Sequence, residues 1–235
     1  MGELTDIHSH ILPEIDDGSE SLEKSLAMIA EEISQGVKNI FCTPHYRIPY
    51  TKEKEETKRI FNEFNEKVKE KNLPVNLYLG QEIAVNENTL SMLKSGRLLT
   101  LKDGKYALLE FSLTKKTMDV SETVHEFVVE GFKPIVAHIE RYPYLTIDDA
   151  YDVKRGGGLI QINADAAMEV GKIFGGAYIK KLIEENLVDF VASDYHYCRK
   201  NNMKEAYHAV TKRYGEEVAE KLFFMNAEKI LKNRD

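Results

Sequence analysis

Cysteine is scarce in this chain. Cys42 and Cys198 are the only two, too few and too far apart for a disulfide framework or a thiolate zinc site. Neither stands in a Cys-x5-Arg loop, so a cysteine-nucleophile phosphatase is set aside. No apolar run approaches the roughly eighteen residues of a membrane span, and the N-terminus lacks a basic region followed by an apolar core. With so few cysteines, the expectation is a cytoplasmic protein without direct membrane insertion. A basic excess is missing as well: 32 Lys and Arg against 39 Asp and Glu leave a formal charge of −7. Nucleic-acid binders need clustered positive charge, so that class is disfavoured, nucleases included. A small anionic substrate would have to be met locally, by metal ions or a few arginines. No Gly-x-Gly-x-x-Gly follows the first strand-like run, which removes the main sign of a dinucleotide-binding open sheet.

What is present is ordinary in bulk and specific in pattern. Hydrophobic residues make up 43% and charged residues 30% of 235 residues, which suits one soluble globular domain spanning residues 1–235. Strand-like runs are expected around Leu4 and Ile7 and at 37–43, 75–82, 106–111, 133–137, 159–163 and 188–196. Helical periodicity separates them. It runs from Leu22 to Ile33 with Ser19 as N-cap and Gly36 as stop, across 51–72, at 87–95, from Val120 to Val128 and around Ile179 to Ile183. From Met203 onward the chain reads as three further helices. Seven βα units predict an α/β fold with a closed or nearly closed (β/α)7 barrel, whose active site lies at the C-terminal ends of the strands.

That is where the metal-ligand types fall. His8 and His10 sit two apart on the first strand, so both imidazoles can face one point. His45, His138 and His196 end or closely follow later strands, and Asp17, Glu82, Glu110 and Asp194 accompany them. His125 and His208 fall inside helices and are read as ordinary surface or packing residues. Nine imidazoles and carboxylates exceed what one ion can use, so two or three divalent ions are expected. The donor set suits manganese, iron or zinc. Such a centre can activate water and hold phosphoryl oxygens in line, which favours phosphate ester hydrolysis. Arg141, three residues beyond His138, can clamp phosphate or the departing oxyanion. Arg47 is a second candidate and Arg199 a third. Tyr46, Tyr50, Tyr142, Tyr144 and Tyr195 cluster beside the ligand loops, where their rings could flank an aromatic substrate.

His8-Ser9-His10, Asp17, Thr43-Pro44-His45, Gly80-Gln81-Glu82, Glu110, Ala137-His138 and Ser193-Asp194-Tyr195-His196 stand in an order that resembles the PHP (polymerase and histidinol phosphatase) superfamily. The stretches Asp6 to Pro13, Asp16-Asp17-Gly18 and His138-Ile139-Glu140-Arg141-Tyr142 are most similar to the bacterial CpsB/YwqE-type protein-tyrosine phosphatases of capsular and exopolysaccharide operons. The resemblance implies a distorted seven-stranded TIM-like barrel and a trinuclear, often manganese, centre with all nine ligand positions filled. It implies removal of phosphate from the tyrosine-rich C-terminal tail of a cognate tyrosine kinase. Arg141 and Tyr142, with Arg47, are expected to contact substrate, and His45 or His196 to supply a proton if not fully committed to metal. Two rival readings are histidinol-phosphate phosphatase, or another small phosphomonoesterase, and a non-catalytic metal-bound regulatory scaffold.

Overall fold

The computed structural model describes residues 3–169 and 176–232. Its parallel strands are β1 (Leu4–Ser9), β2 (Val37–Cys42), β3 (His45–Tyr46), β4 (Asn76–Leu79), β5 (Glu82–Ala84), β6 (Tyr106–Glu110), β7 (Lys133–Val136), β8 (Leu159–Asn163) and β9 (Phe190–Ala192). These nine segments are seven staves. Pro44 lacks the N–H a ladder needs and splits the second stave into β2 and β3; Gly80-Gln81 splits the third into β4 and β5. Pairing continues across both breaks, because Gly80 N–H donates to Cys42 O (3.0 Å) and Glu82 N–H to Pro44 O (3.1 Å).

From there the order β3-β5-β6-β7-β8-β9 runs around the wall. The last stave returns to the first: Asp194 N–H donates to His8 O and His10 N–H to Tyr195 O, both at 2.9 Å. The ring of seven expected from the sequence is therefore closed by hydrogen bonds at its C-terminal rim. Lower down it opens, since β4 pairs with β2 and not with β6 among the described residues. A 3-10 turn at Leu101–Asp103 fills that gap. Leu101 is fully buried there, and it needs Gly80 opposite, where a Cβ would come within 2.5 Å of Leu101 Cδ2. Below the site Ile7, Phe41, Leu108 and Ile135 pack the barrel, and Ala227 and Ile230 close its floor.

Helices cover the outside: α1 (Leu22–Ser34), α2 (Lys54–Glu70), α3 (Thr89–Lys94), α4 (Val120–Val129), α5 (Ile147–Arg155), α6 (Ala164–Met168), α7 (Ala177–Glu184) and α8 (Met203–Tyr214). The N-cap of α1 is Ser21, whose hydroxyl accepts from Lys24 N–H at 3.2 Å. Ser19, the residue expected there, instead donates to Ser21 O. Helix α5 was not expected, although its capping box, Thr146 with Asp149, is written in the sequence. The final expected helices are one rod: α9 (Glu216–Glu220) and α10 (Asn226–Leu231) are joined through a π turn at Lys221–Met225. His125 and His208 are exposed on α4 and α8, as expected.

Candidate metal centre

His8, His10, His45, His138 and His196 meet with Glu82, Glu110 and Asp194 at the rim, and all eight are buried. Asp17 stands at the outer edge, its side chain 44% exposed, with Oδ1 at 3.4 Å from His45 Nε2 and 3.5 Å from His196 Nε2. All nine expected ligand residues are therefore in one place. Two of them reach it through left-handed backbone, His138 at φ 32° and Asp194 at φ 50°. An imidazole-bearing residue adopts that region only when its surroundings hold it. Here Gln161 Oε1 accepts from His138 N–H at 2.8 Å, and His8 O accepts from Asp194 N–H.

Hydrogen bonds on the far side of the rings decide which nitrogen faces inward. His10 Nδ1 lies 2.9 Å from Asp16 Oδ2, His8 Nδ1 3.2 Å from Gln161 Oε1, and His196 Nδ1 2.9 Å from Asp194 O. These oxygens can only accept, so each ring donates from Nδ1 and turns a lone pair at Nε2 toward the centre. Asp16 also accepts from His45 N–H and Gly18 N–H. Burial opposes its charge, but His10 and these donors lower its pKa to about 2. Burial likewise opposes a proton on His10, yet Asp16 and Glu82 outweigh it and raise that pKa well above the usual imidazole value. Burial pushes Glu110 up to about 7, with Glu82 adding to it. His196 is held down at about 4 by burial and by His10.

The spacing of donor atoms suits shared cations. Ligands about 2.1 Å from one ion stand about 3.0 to 3.4 Å from each other. His8 Nε2 and His10 Nε2 are 3.1 Å apart, His8 Nε2 is 3.4 Å from Glu82 Oε1, and His10 Nε2 is 3.3 Å from Glu82 Oε2. Asp194 Oδ1 lies 3.6 and 3.5 Å from the same two nitrogens. Glu82 Oε2 is buried without a hydrogen-bond partner, although His45 Nδ1 is only 2.7 Å away. Lone pairs that converge without bonding one another are what a divalent ion satisfies. Three overlapping groups can hold one: His8, His10 and Glu82; His10, His45 and His196; and His45, Glu82 and Glu110. His138 Nε2 adds to the last side, 2.8 Å from Glu82 Oε1 and 3.9 Å from Glu110 Oε1.

Three arginines ring the mouth. Arg141 and Arg199 both donate to Asp194 Oδ2 at 3.0 Å, opposite the oxygen that faces His8 and His10. Arg47 Nη2 reaches Asp17 Oδ2 at 3.3 Å and His45 Nε2 at 3.1 Å. Tyr142 is different. It is 1% exposed, and its hydroxyl accepts from Phe111 N–H at 2.9 Å. The expectation that it touches substrate is corrected: the ring lies behind His138, 5.7 Å between centroids, and supports it. Tyr195 is also buried, and Tyr144 donates to Ser112 O. Tyr50 is the ring at the mouth, stacked on His45 at 6.2 Å and 16°. Sequence reasoning missed Asp16, Gln161 and Asn163, whose Nδ2 donates to Asp194 Oδ2 at 3.0 Å. The signal was legible: Gln161 and Asn163 are polar residues two apart in an otherwise apolar strand.

Fold and site define a class: a parallel α/β barrel with a buried, polynuclear-type imidazole and carboxylate centre at the C-terminal ends of its strands. The chain belongs to the CpsB/CapC family, described by capsular polysaccharide synthesis, whose model matches residues 4–232. It is 35% identical over 243 residues to the tyrosine-protein phosphatase CpsB of Streptococcus agalactiae, covering 98% of this chain and 99% of that protein. It is 30% identical to the tyrosine-protein phosphatase YwqE of Bacillus subtilis, covering 98% and 92%. The crystal structures of YwqE from Bacillus subtilis and CpsB from Streptococcus pneumoniae, described as metal-dependent tyrosine phosphatases, superpose with a TM-score of 0.92 at 29% identity, over 99% of this chain and 96% of that one. The lactonase Lmo2620 of Listeria monocytogenes shares the fold alone, with a TM-score of 0.63 at 14% identity over 99% and 95%. The resemblance read from the motifs is borne out. Among the described residues no helix is long and apolar enough to cross a membrane.

Proposed function

We propose that this chain is a metal-dependent protein-tyrosine phosphatase acting on a phosphotyrosine protein, with the C-terminal tail of a bacterial tyrosine kinase of capsule or exopolysaccharide synthesis as its substrate. The observation that carries the reading is the paired arginines on Asp194 Oδ2 beside the converging lone pairs of His8, His10 and Glu82. A phosphoryl group needs both, and the relatives named above are tyrosine-protein phosphatases.

His8, His10, Asp17, His45, Glu82, Glu110, His138, Asp194 and His196 would hold two or three divalent ions, manganese first, with iron or zinc as alternatives. When bound, such ions supply Lewis acidity toward water and the phosphoryl group. The remaining work falls to the chain. Asp16 and Gln161 keep the His10 and His8 rings aimed inward. Arg141 and Arg199 turn their remaining N–H groups to the phosphoryl oxygens, and Asp194 keeps both guanidiniums from drifting into solvent. Arg47 closes the side next to Asp17. The leaving phenolate has a parent pKa of about 10 and leaves readily once its charge is met by arginine. His45 or His196 would supply a proton to the leaving oxygen only where the ring is not committed to metal.

The test is turnover of a phosphotyrosine peptide and of histidinol phosphate by chelator-stripped protein, with and without added manganese. Metal-dependent turnover that favours the peptide supports the reading. Full activity in the stripped protein sinks it, preference for histidinol phosphate replaces it with the alkyl phosphatase, and inertness toward both favours the scaffold.

A further inference from the structure

Beside the metal centre the surface falls into a groove. A cavity of about 470 Å³ opens against Ile15, Asp16 and Tyr50, and Asp16 is the residue whose carboxylate holds His10. A second cavity, of about 440 Å³, is lined in part by Pro13, Leu22, Ile60 and Phe64. The two share Glu14, Lys52 and Glu56, so they form one channel between the loop that carries Asp17 and helix α2. It starts at Asp16 and Tyr50, which touch His10 and His45 from outside, and follows α2 to Lys67. From Glu56 to Lys67 is about 16 Å of helix, the length of about five residues of extended peptide.

Its chemistry is graded. The floor is apolar, and Leu22 is left 38% exposed there. Pro13 and Ile60 beside it are half-buried and Phe64 is buried, so Leu22 is the apolar side chain the cavity offers to a bound peptide. On the rim, Lys52 pairs with Glu56 at 2.8 Å and Arg59 with Glu63 at 2.7 Å. Glu14 and Glu53 are exposed and enter no ion pair among the described residues. Arg47, Arg141 and Arg199 supply the guanidinium donors of the mouth, while the channel leading away from it has spare negative charge at Glu14 and Glu53.

We infer that this channel docks the extended segment on one side of the phosphotyrosine, and that it favours a segment carrying apolar residues and a lysine or arginine within about five positions of the phosphorylated residue. In its substrate class the inference rests on the phosphatase reading. Phosphate goes to the arginine end, the backbone lies along α2, and the basic side chain meets Glu14 or Glu53.

The experiment measures kcat and KM of the manganese-loaded full chain on p-nitrophenyl phosphate and on two phosphotyrosine peptides, one flanked by lysines and one by glutamates. It is repeated for the double variant Glu14→Lys/Glu53→Lys and for Leu22→Asp. The wild type should prefer the lysine peptide. The double variant should raise KM for that peptide about tenfold and erase the preference, with p-nitrophenyl phosphate kinetics unchanged. Leu22→Asp should raise KM for both peptides alone. Peptide KM values that do not move, or a wild-type preference for the glutamate peptide, overturn the channel. Absence of p-nitrophenyl phosphate turnover by the wild type overturns the phosphatase reading instead. The channel is then judged by fluorescence anisotropy of the same labelled peptides, where binding that the variants leave untouched rejects it.

Discussion

Asp16 Oδ2 accepts from His10 Nδ1 at 2.9 Å with its carboxylate fully buried, and this contact decides which face of the His10 ring looks at Glu82. Asp16→Ala should therefore free the ring to rotate and swap tautomer. Metal affinity, followed by titrating manganese into stripped protein, should fall roughly 10- to 100-fold, as for other outer partners of metal-bound histidine. Unchanged affinity would mean the ring is aimed by packing alone.

Arg141 donates to Asp194 Oδ2 with a third of its side chain still open to the mouth. Arg141→Ala should lower kcat on a phosphotyrosine peptide about 100-fold, the scale of losing one oxyanion donor. Arg141→Lys should recover little, because an ammonium cannot hold Asp194 and a phosphoryl oxygen in one planar fork. Full recovery by lysine in steady-state kinetics would reduce the residue to a point charge.

Tyr142 contributes from behind the site. Removing its hydroxyl in Tyr142→Phe strands the buried Phe111 N–H, at a cost of about 1–3 kcal/mol. Urea unfolding should register that loss, while KM for phosphotyrosine stays where it was. A raised KM with unchanged stability would restore the residue to the substrate pocket.

Asp119 caps α4 by accepting from Ser121 N–H at 3.0 Å and Glu122 N–H at 3.1 Å. The Lys116 ammonium, then the Ser121 hydroxyl and these amides, hold its carboxyl well below the usual value. A pKa depressed by folding contributes stability that is complete above the unfolded value, near 4, and is lost as pH falls toward the folded one. Asp119→Ala should cost about 1 kcal/mol at pH 7, and the gap between variant and wild type should narrow below about pH 4 in denaturant titrations.

Much of the molecule could be read along the chain because the relevant signals are local. Strand runs ending in histidine or acid marked six of the seven staves, the apolar run Leu159–Asn163 marked the other, and the periodicity of α1, α4 and α8 marked their buried faces. The misses share a cause. Whether Ser19 or Ser21 caps α1 depends on a hydroxyl choosing between two nearby backbone groups. The breaks at Pro44 and Gly80-Gln81 appear as segments only once neighbouring staves are paired. The last two helices, α9 and α10, merge because a π turn has no apolar period of its own.

The sequence by itself determined which candidate donors come together: His8-x-His10, Asp17, His45, Glu82, Glu110, His138 and Asp194-x-His196 stand at or just beyond strand ends, and strand ends of a parallel barrel converge. Only the tertiary structure decided how those donors are used. It turned His8, His10 and His196 to present Nε2, through Gln161, Asp16 and the Asp194 carbonyl. It seated Arg141 and Arg199 on one carboxylate oxygen, and it buried Tyr142 while leaving Tyr50 at the mouth. The physical reason is direction: chain spacing brings a side chain to a place, but the hydrogen bond on its far side, made by a residue 153 positions away for His8, fixes which atom faces the centre.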